Sequence, residues 1–574
     1  MKKLKRTEAQ SAARQFQVRG WFVFGALLLC AAAIVARAVN LQVTSRNWLE
    51  EKGAERYMRN ARIPAHRGQL LDRFGEPLAV STPVDTVWAN PDELAAAPEQ
   101  IARLAKALNR DGEWLLRRVT SNLGTQYLVL AKQLQPDEAA RITSMRIPGV
   151  YLAREYRRFY PAGEVTGHVL GFTGEADQGQ EGLELEFESK LSGEDGIKRV
   201  IKDRYGQVVE DVDSVRPPRP GEDLVTSLDL RIQYLAYREL KSAIREYQAR
   251  AGTVIVVDVR SGEILAMVNQ PSFNPNDRTQ FEVARYRNRG ATDILEPGSS
   301  IKPFFIATAL ASGRFKPGSV IDTNPGFIKV GNKVIEDEHN LGLVDFAGIL
   351  AKSSNVGMAH IALALDKEAI WNTLNGLGFG QVSATGFPGE SAGLLSPYSR
   401  WRDLTVATLA HGYGLSVTPL QLAQAYATLG ALGLRRPLTL RRVEAPVPAD
   451  AVLDPQVCRD LIHLLETVVT SGTGKSAAVP GYRIAGKTGT AWKSANGSYS
   501  TDKYMAVFGG VVPAAAPRLA AVVVIDEPSG TKYYGGEVAA PVFSAVMAGA
   551  LRLLAVPPDD LSNVPSATLV QATR

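Results

Sequence analysis

Two cysteines in 574 residues exclude a disulfide-built fold. Cys30 lies inside a long apolar run and Cys458 stands alone beyond it. No intrachain disulfide can therefore form in an oxidising compartment. With no histidine beside it in sequence, Cys458 is expected to be a buried apolar side chain rather than a nucleophile. Histidine is also scarce, with six positions: 66, 168, 339, 360, 411 and 463. None forms an H-E-x-x-H pattern, so a zinc hydrolase would lack ligands. Only His411 and His339 merit a test of proximity to a cleft. Gly474-Lys475-Ser476 has the ending of a phosphate-binding loop, but Val469 stands where its first glycine is required. The sequence calls for no metal and no cofactor.

Basic charge is missing from the body of the chain. Six basic side chains, Lys2, Lys3, Lys5, Arg6, Arg14 and Arg19, face only Glu8 in residues 1–20, a net +5. Of the total of +6, that leaves +1 for the other 554 residues, which gives nucleic-acid binding no support. No repeat of 20–50 residues is present. Hydrophobic residues at 45% and charged residues at 22% are ordinary for a folded protein, which excludes wholesale disorder and a multi-span transporter.

One long apolar run exists. Trp21 to Ala36 carries no charge and, with Gly20, reaches about 17 residues, the lower limit for crossing a hydrocarbon core of about 30 Å. The basic tail before it should stay in the cytoplasm, with everything after Arg37 on the other side. A cleaved signal peptide is the competing reading. The length of the run and the 19-residue hydrophilic tail favour an uncleaved anchor. A lipoprotein signal is disfavoured by Leu29 before Cys30, where a small residue is wanted.

At about 150 residues per domain the length suggests three or four domains. Six segments are expected: a cytoplasmic tail (1–20), a membrane anchor (21–37), a polar helical stalk (38–60), a pedestal (61–222), a catalytic domain (223–557) and a disordered tail (558–574). The pedestal reads as helices over 92–108 and 111–121 with short strands such as 126–130. It carries no catalytic pattern. Pro217-Pro218-Arg219-Pro220-Gly221 marks its end. Beyond it, 224–230 is strand-like and 232–247 has helical periodicity. A hairpin turns at Arg260-Ser261-Gly262, buried strands are expected at 504–512 and 519–526, and a last helix spans about 540–554. This order predicts an α/β (α+β) domain whose antiparallel sheet is covered by helices.

Three short motifs carry chemistry. Ser299-Ser300-Ile301-Lys302 precedes an apolar helical stretch, so a serine in the first helical turn would have a lysine on its own face. The amine could then reach the hydroxyl. Burial would lower its pKa and make it a base, and the helix N-terminus would suit an oxyanion. Ser-x-x-Lys recurs at Ser500/Lys503 and Ser529/Lys532, where polar sequence favours solvated surface pairs. Ser353-Ser354-Asn355 is the second motif, and in isolation it would read as a helix N-cap. Lys487-Thr488-Gly489-Thr490 is the third. On an edge strand, Lys487 would point into a cleft and Gly489 would admit a substrate backbone. An ordinary strand end with a solvated lysine is the plain alternative. The specific signal is the ordered set of all three.

With this set the sequence resembles the class B penicillin-binding proteins, above all the division-specific (septal) peptidoglycan D,D-transpeptidases. The resemblance spans nearly the whole chain. It includes Arg67-Gly68 with Asp72-Arg73 and Gly75, residues 167–174, and Glu181-Gly182 with Glu184. It continues through the segments at 252–267, 385–390, 417–423 and 470–477 and the three motifs. The family usually has Thr where Ser300 stands. Asn355 at the end of the second motif favours the division type over the elongation type.

The resemblance implies a penicillin-binding/serine β-lactamase-like transpeptidase domain on an elongated N-terminal pedestal, with one transmembrane helix. Ser299 would be the nucleophile toward the D-Ala-D-Ala carbonyl of a stem peptide, and Lys302 its base. Ser353 would relay a proton, Asn355 would hold the substrate amide and the lysine, and Lys487 would keep the cleft positive. Thr488 and Thr490, with Gly489 between them, would bind substrate, and the N–H groups of Ser299 and Thr490 would form the oxyanion hole. β-Lactams would acylate Ser299 and stay. The implied setting is the inner membrane, with a periplasmic catalytic domain and a glycan polymerase and other division proteins as partners. An acylated sensor without turnover, a carboxypeptidase or β-lactamase, and an elongation enzyme remain as alternatives.

Overall fold

The computed structural model describes residues 2–46, 48, 58–202, 208–277, 279, 282–445, 447–495 and 498–563. Part of the stalk expected over 38–60 and most of the tail expected over 558–574 lie outside the described residues. The chain divides into two units.

The first unit comprises Met1–Ala65, Asp85–Glu155 and Glu194–Arg219. Its N-terminal helix α1 (Lys2–Val39) contains the whole apolar run. Trp21, Leu29 and Ile34 are exposed along it, which suits a single membrane anchor. A three-stranded antiparallel sheet pairs Met58–Ile63 and Val208–Arg216 on either side of Gly196–Lys202. A separate core gathers Leu94, Ile101, Leu104, Leu115, Val119 and Ile142. The single helix expected over 92–108 is two helices, Pro91–Ala95 and Pro98–Ala107. Pro98 has no N–H to continue the first helix but suits the first turn of the second. The helix expected at 111–121 runs Gly112–Thr120, with Asp111 as its cap.

The second unit comprises His66–Val84, Tyr156–Gly193 and Pro220–Arg574. Its first two segments build a buried ionic cluster. Glu184 accepts from Arg67 at 2.8 Å and from Arg158 at 2.7 Å, and Arg67 also reaches Glu188 at 2.7 Å. The two guanidiniums are 1% exposed and the Glu184 side chain 0%. Burial works against charge on Arg67, yet Glu184 and Glu188 hold its pKa above the ordinary value.

The catalytic half begins with α2 (Leu230–Glu246), capped by Asp229, which accepts from the Arg231 N–H. The expected strand over 224–230 shrinks to Leu224–Val225, because Asp229 already starts the helix. Next come β1 (Ala251–Asp258) and β2 (Ile264–Gln270), the expected hairpin, turning at Gly262 with φ 78°. An insert between β2 and the next sheet strand carries α3 (Lys302–Ala311), β3 (Lys333–Glu336), α4 (Phe346–Lys352), α5 (Asn355–Leu363), α6 (Asp403–Leu409), α7 (Pro419–Gly430) and α8 (Pro455–Thr470). The chain returns as β4 (Ala485–Ala495), β5 (Ser498–Val512), β6 (Leu519–Asp526) and α9 (Ala540–Leu553).

The five long strands form one antiparallel sheet in the order β2-β1-β6-β5-β4, with β4 at the edge. Side chains alternate across it. Val254, Val256 and Val523 face α2 and α9, and Ile255, Val257 and Val522 face α3, α7 and α8. Both faces of the central strands β1 and β6 are dry, so these two are apolar almost throughout. Each fully buried valine contributes about 1.5–3 kcal/mol.

Candidate active site

The first motif is seated by a tight turn. Gly298–Ile301 is one 3-10 turn and α3 starts at Lys302. Three residues per turn put positions 299 and 302 in line, more directly than an α-helix would. Tyr426 of α7 donates to the Ser300 carbonyl at 2.9 Å and holds the turn against the core. Tyr426 itself fits only because Gly509 lacks a Cβ, which would lie 2.3 Å from the tyrosine ring.

Lys302 is 0% exposed. Its amine donates to the Ser353 carbonyl, to Ser353 Oγ at 3.3 Å, to the Ser354 carbonyl at 3.1 Å and to Asn355 Oδ1 at 2.8 Å. The expected direct bond to Ser299 is not among these, since backbone and side-chain oxygens of the second motif occupy the ammonium. Such catalytic bonds commonly close only around substrate. Burial first, then the charge of Lys487, push the Lys302 pKa well below its ordinary value, against the opposing pull of Asp337.

The second motif joins α4 to α5. Ser353 has φ 61° and ψ 36°, a left-handed backbone that costs a serine about 1–3 kcal/mol and recurs at functional positions. Helix capping falls to its neighbour: Ser354 Oγ accepts from the Gly357 N–H at 2.9 Å. The Ser353 hydroxyl is thereby free to stand between two buried amines, 3.3 Å from Lys302 and 3.1 Å from Lys487. Asp337, just past β3, accepts from the Asn355 and Val356 N–H groups and from Ser354 Oγ. Sequence reading missed Asp337, which belongs to no motif.

The third motif lies on the edge strand β4, with Lys487 opposite Gly509 of β5. Lys487 is 0% exposed, and burial lowers its pKa to about 7. Thr488 Oγ1 and Thr473 Oγ1 share a hydrogen bond of 2.7 Å, and Thr490 Oγ1 accepts from the Gly535 N–H at 3.0 Å. Gly489 packs closely against the first motif. A Cβ there would lie 2.7 Å from the Pro297 carbonyl and 3.2 Å from the Ser300 nitrogen. The absent Cβ at Gly489 thus admits the chain's own Pro297–Ser300 turn.

A groove of about 530 Å³ opens over these motifs. Ser299, Asn355 and Thr490 line it, with His411, Trp492 and Tyr534. No motif signalled its aromatic rim. His339 is exposed and outside it, and Cys458 is buried, with burial raising its thiol to about 12. Lys503 lies 3.8 Å from Glu527, half exposed, and Ser529 bonds the Gln248 carbonyl. Those Ser-x-x-Lys repeats are surface features. A second cavity of about 470 Å³, with Arg260 and Arg459, contains no motif residue.

Comparison with known proteins gives the family. Residues 252–548 match the penicillin-binding protein transpeptidase domain, and residues 62–226 match the penicillin-binding protein dimerisation domain. The chain is 42% identical over 545 residues to the peptidoglycan D,D-transpeptidase FtsI of Escherichia coli K12, covering 94% of this chain and 92% of the relative. It is 40% identical over 540 residues to the probable peptidoglycan D,D-transpeptidase PbpC of Pseudomonas aeruginosa, covering 94% and 96%. The solved apo TP domain of Burkholderia pseudomallei penicillin-binding protein 3 superposes with a TM-score of 0.54 at 39% identity, over 58% of this chain and 97% of that one. With a dimerisation domain ahead of a transpeptidase domain and near full-length similarity to such enzymes, the chain belongs to the class B penicillin-binding proteins.

Proposed function

We propose that this protein is the D,D-transpeptidase that cross-links peptidoglycan stem peptides during cell division, and that β-lactams inactivate it by acylating Ser299. The observation that carries the reading is the convergence on Ser353 Oγ of two buried amines, Lys302 at 3.3 Å and Lys487 at 3.1 Å. Two unpaired lysines this close favour a neutral amine, which is what a general base must be.

Lys302 takes the proton of Ser299 as Oγ attacks the penultimate D-alanine carbonyl. The oxyanion gathers at the N–H groups of Ser299 and Thr490, where each donor is worth roughly 3–4 kcal/mol. Ser353, between both amines, passes a proton to the leaving D-alanine. Asn355 fixes the Lys302 amine through Oδ1, and its amide faces the groove that holds the peptide. Lys487, Thr488 and Thr490 form the carboxylate side. An amine of a second stem peptide then displaces Ser299 from the ester. Slow water attack would give a carboxypeptidase side activity.

The setting follows from the resemblance and the charge pattern. The basic tail lies in the cytoplasm, α1 spans the inner membrane once, and the rest faces the periplasm. Division of the exported part near residue 222 into pedestal and catalytic domains belongs to the same reading, as do a glycan polymerase and other division proteins as partners. Labelling with fluorescent penicillin tests the nucleophile: Ser299→Ala should abolish the covalent band. A Ser299→Ala band of undiminished intensity would refute the assignment. Depletion in cells should give filaments, and spheres would point to elongation instead.

A further inference from the structure

The cavity of about 470 Å³ without motif residues gathers Arg260, Arg436, Arg459 and Arg483 against one carboxylate, Glu466. All of them belong to the second unit. Glu466 is already engaged, because Arg483 grips it with two hydrogen bonds of 2.7 Å. The other three guanidiniums have no carboxylate partner among the described residues. Arg436 donates to the Val259 carbonyl at 3.3 Å and Arg459 to the Gln456 side chain at 3.0 Å, both neutral acceptors. Arg260 is exposed, and only its backbone N–H is bonded, to Asp258. Acids that adjoin these residues are occupied. Asp258 pairs with Arg518, Asp460 accepts from Gln456, and Asp559 accepts from the backbone N–H groups of Arg483 and Ala515. Unneutralised positive charge is thus concentrated here, in a chain whose 554 residues beyond the basic tail sum to +1.

The rest of the lining is largely apolar and includes Leu432, Ile462 and Pro517. Leu432 sits at φ 54°, a backbone that glycine takes freely and leucine does not, so an apolar side chain is held at this cavity against strain.

We propose that this cavity docks an acidic peptide segment of another protein, with carboxylates on Arg260, Arg436 and Arg459 and an apolar side chain against Leu432 and Ile462. The three guanidiniums come from separate stretches: the β1–β2 turn, the segment after α7, and α8. Charges set on separate elements around an apolar lining suit an extended chain bearing several carboxylates. The planar fork of arginine pairs a carboxylate through two hydrogen bonds and sheds water readily, which is why arginine anchors interfaces. A volume of about 470 Å³ falls within the range of about 300–1,000 Å³ usual for binding sites. None of its lining residues lines the groove over Ser299, so this surface can be occupied while the groove works. The proposal stands apart from the transpeptidase reading.

The test uses the full chain in detergent and a fluorescein-labelled peptide, Glu-Glu-Leu-Glu-Phe-Glu, followed by anisotropy at low salt. The peptide should bind saturably, and the same peptide with Gln for every Glu should not. The double variant Arg260→Glu with Arg459→Glu should weaken binding about tenfold or more, since repulsion replaces attraction. Fluorescent penicillin should label it as it labels the unaltered protein, which shows that it is folded. Arg245→Glu, an exposed arginine of α2 outside the cavity, should change binding less than about twofold. Absence of saturable binding to the unaltered protein overturns the proposal. So does equal binding by the double variant, or an equal loss in Arg245→Glu, because the attraction would then be diffuse. Inorganic phosphate or phosphatidylglycerol vesicles that displace the peptide at matching concentrations of anionic groups also overturn it, in favour of a compact anion or a lipid surface.

Discussion

The molecule buries charge in two places and treats it in opposite ways. Around Glu184, two guanidiniums and the carboxylates of Glu184 and Glu188 neutralise one another at 2.7–2.8 Å. Around Ser353, two ammoniums share one hydroxyl, with Asp337 held by backbone N–H groups rather than by either lysine. Opposite charges buried together give a fixed joint. Burial, with the charge of Lys487 added, holds the Lys302 amine well below its ordinary pKa, which is reactivity.

The contrast can be broken from either side. Lys302→Met should cut the rate of penicillin acylation about 10²–10⁴-fold, the range of a general base, with little change in folding, measured by stopped-flow labelling and denaturant titration. Glu184→Gln should do the reverse. It strands the buried Arg158 guanidinium, leaves Arg67 with Glu188 alone, and should cost about 3–5 kcal/mol of stability, while folded molecules still acylate. Equal losses of stability from both substitutions would erase the distinction drawn above.

Lys487 links protonation to both properties. Its pKa is about 7 when folded and roughly 10.4 when unfolded, so the unfolded chain binds more protons between those values. The resulting cost to stability is complete below about pH 7 and disappears as pH rises through about 10.4. Stability measured across that window should therefore climb with pH, and more shallowly in Lys487→Met. The same substitution removes a positive neighbour of Lys302, so the acid limb of the acylation profile should move to higher pH. Asp337→Asn should give the smallest effect and the opposite sign. It removes the charge that raises the Lys302 pKa, so the acid limb should move to lower pH, with about 1 kcal/mol lost from the α5 cap.

The legible parts of the sequence were those fixed by local chemistry. The sheet strands showed as apolar runs, α2 and α9 as periodicity, and Ser299, Ser353 and Lys487 as heads of short motifs. Features set by distant neighbours were not legible. Asp337 reads as one more acid in a polar stretch until β3 brings it under α5. The break at Pro98 was readable but was overridden by helical periodicity on both sides. The role of Gly489 depends on the Pro297–Ser300 turn, nearly two hundred residues away in sequence. The aromatic rim comes from four separate stretches, none patterned by itself.

The seating of the nucleophile turn sets where this enzyme can adapt. Tyr426 moors it from within the core and the bare face of Gly489 clamps it from the side, so position 299 is an anvil that ligands meet but do not move. Accommodation of differently shaped acyl groups must then be drawn from the half-exposed rings of Trp492, Tyr499 and Tyr534 at the groove mouth. Selectivity among β-lactams should accordingly track substitutions in those rings, while the reaction itself stays the same.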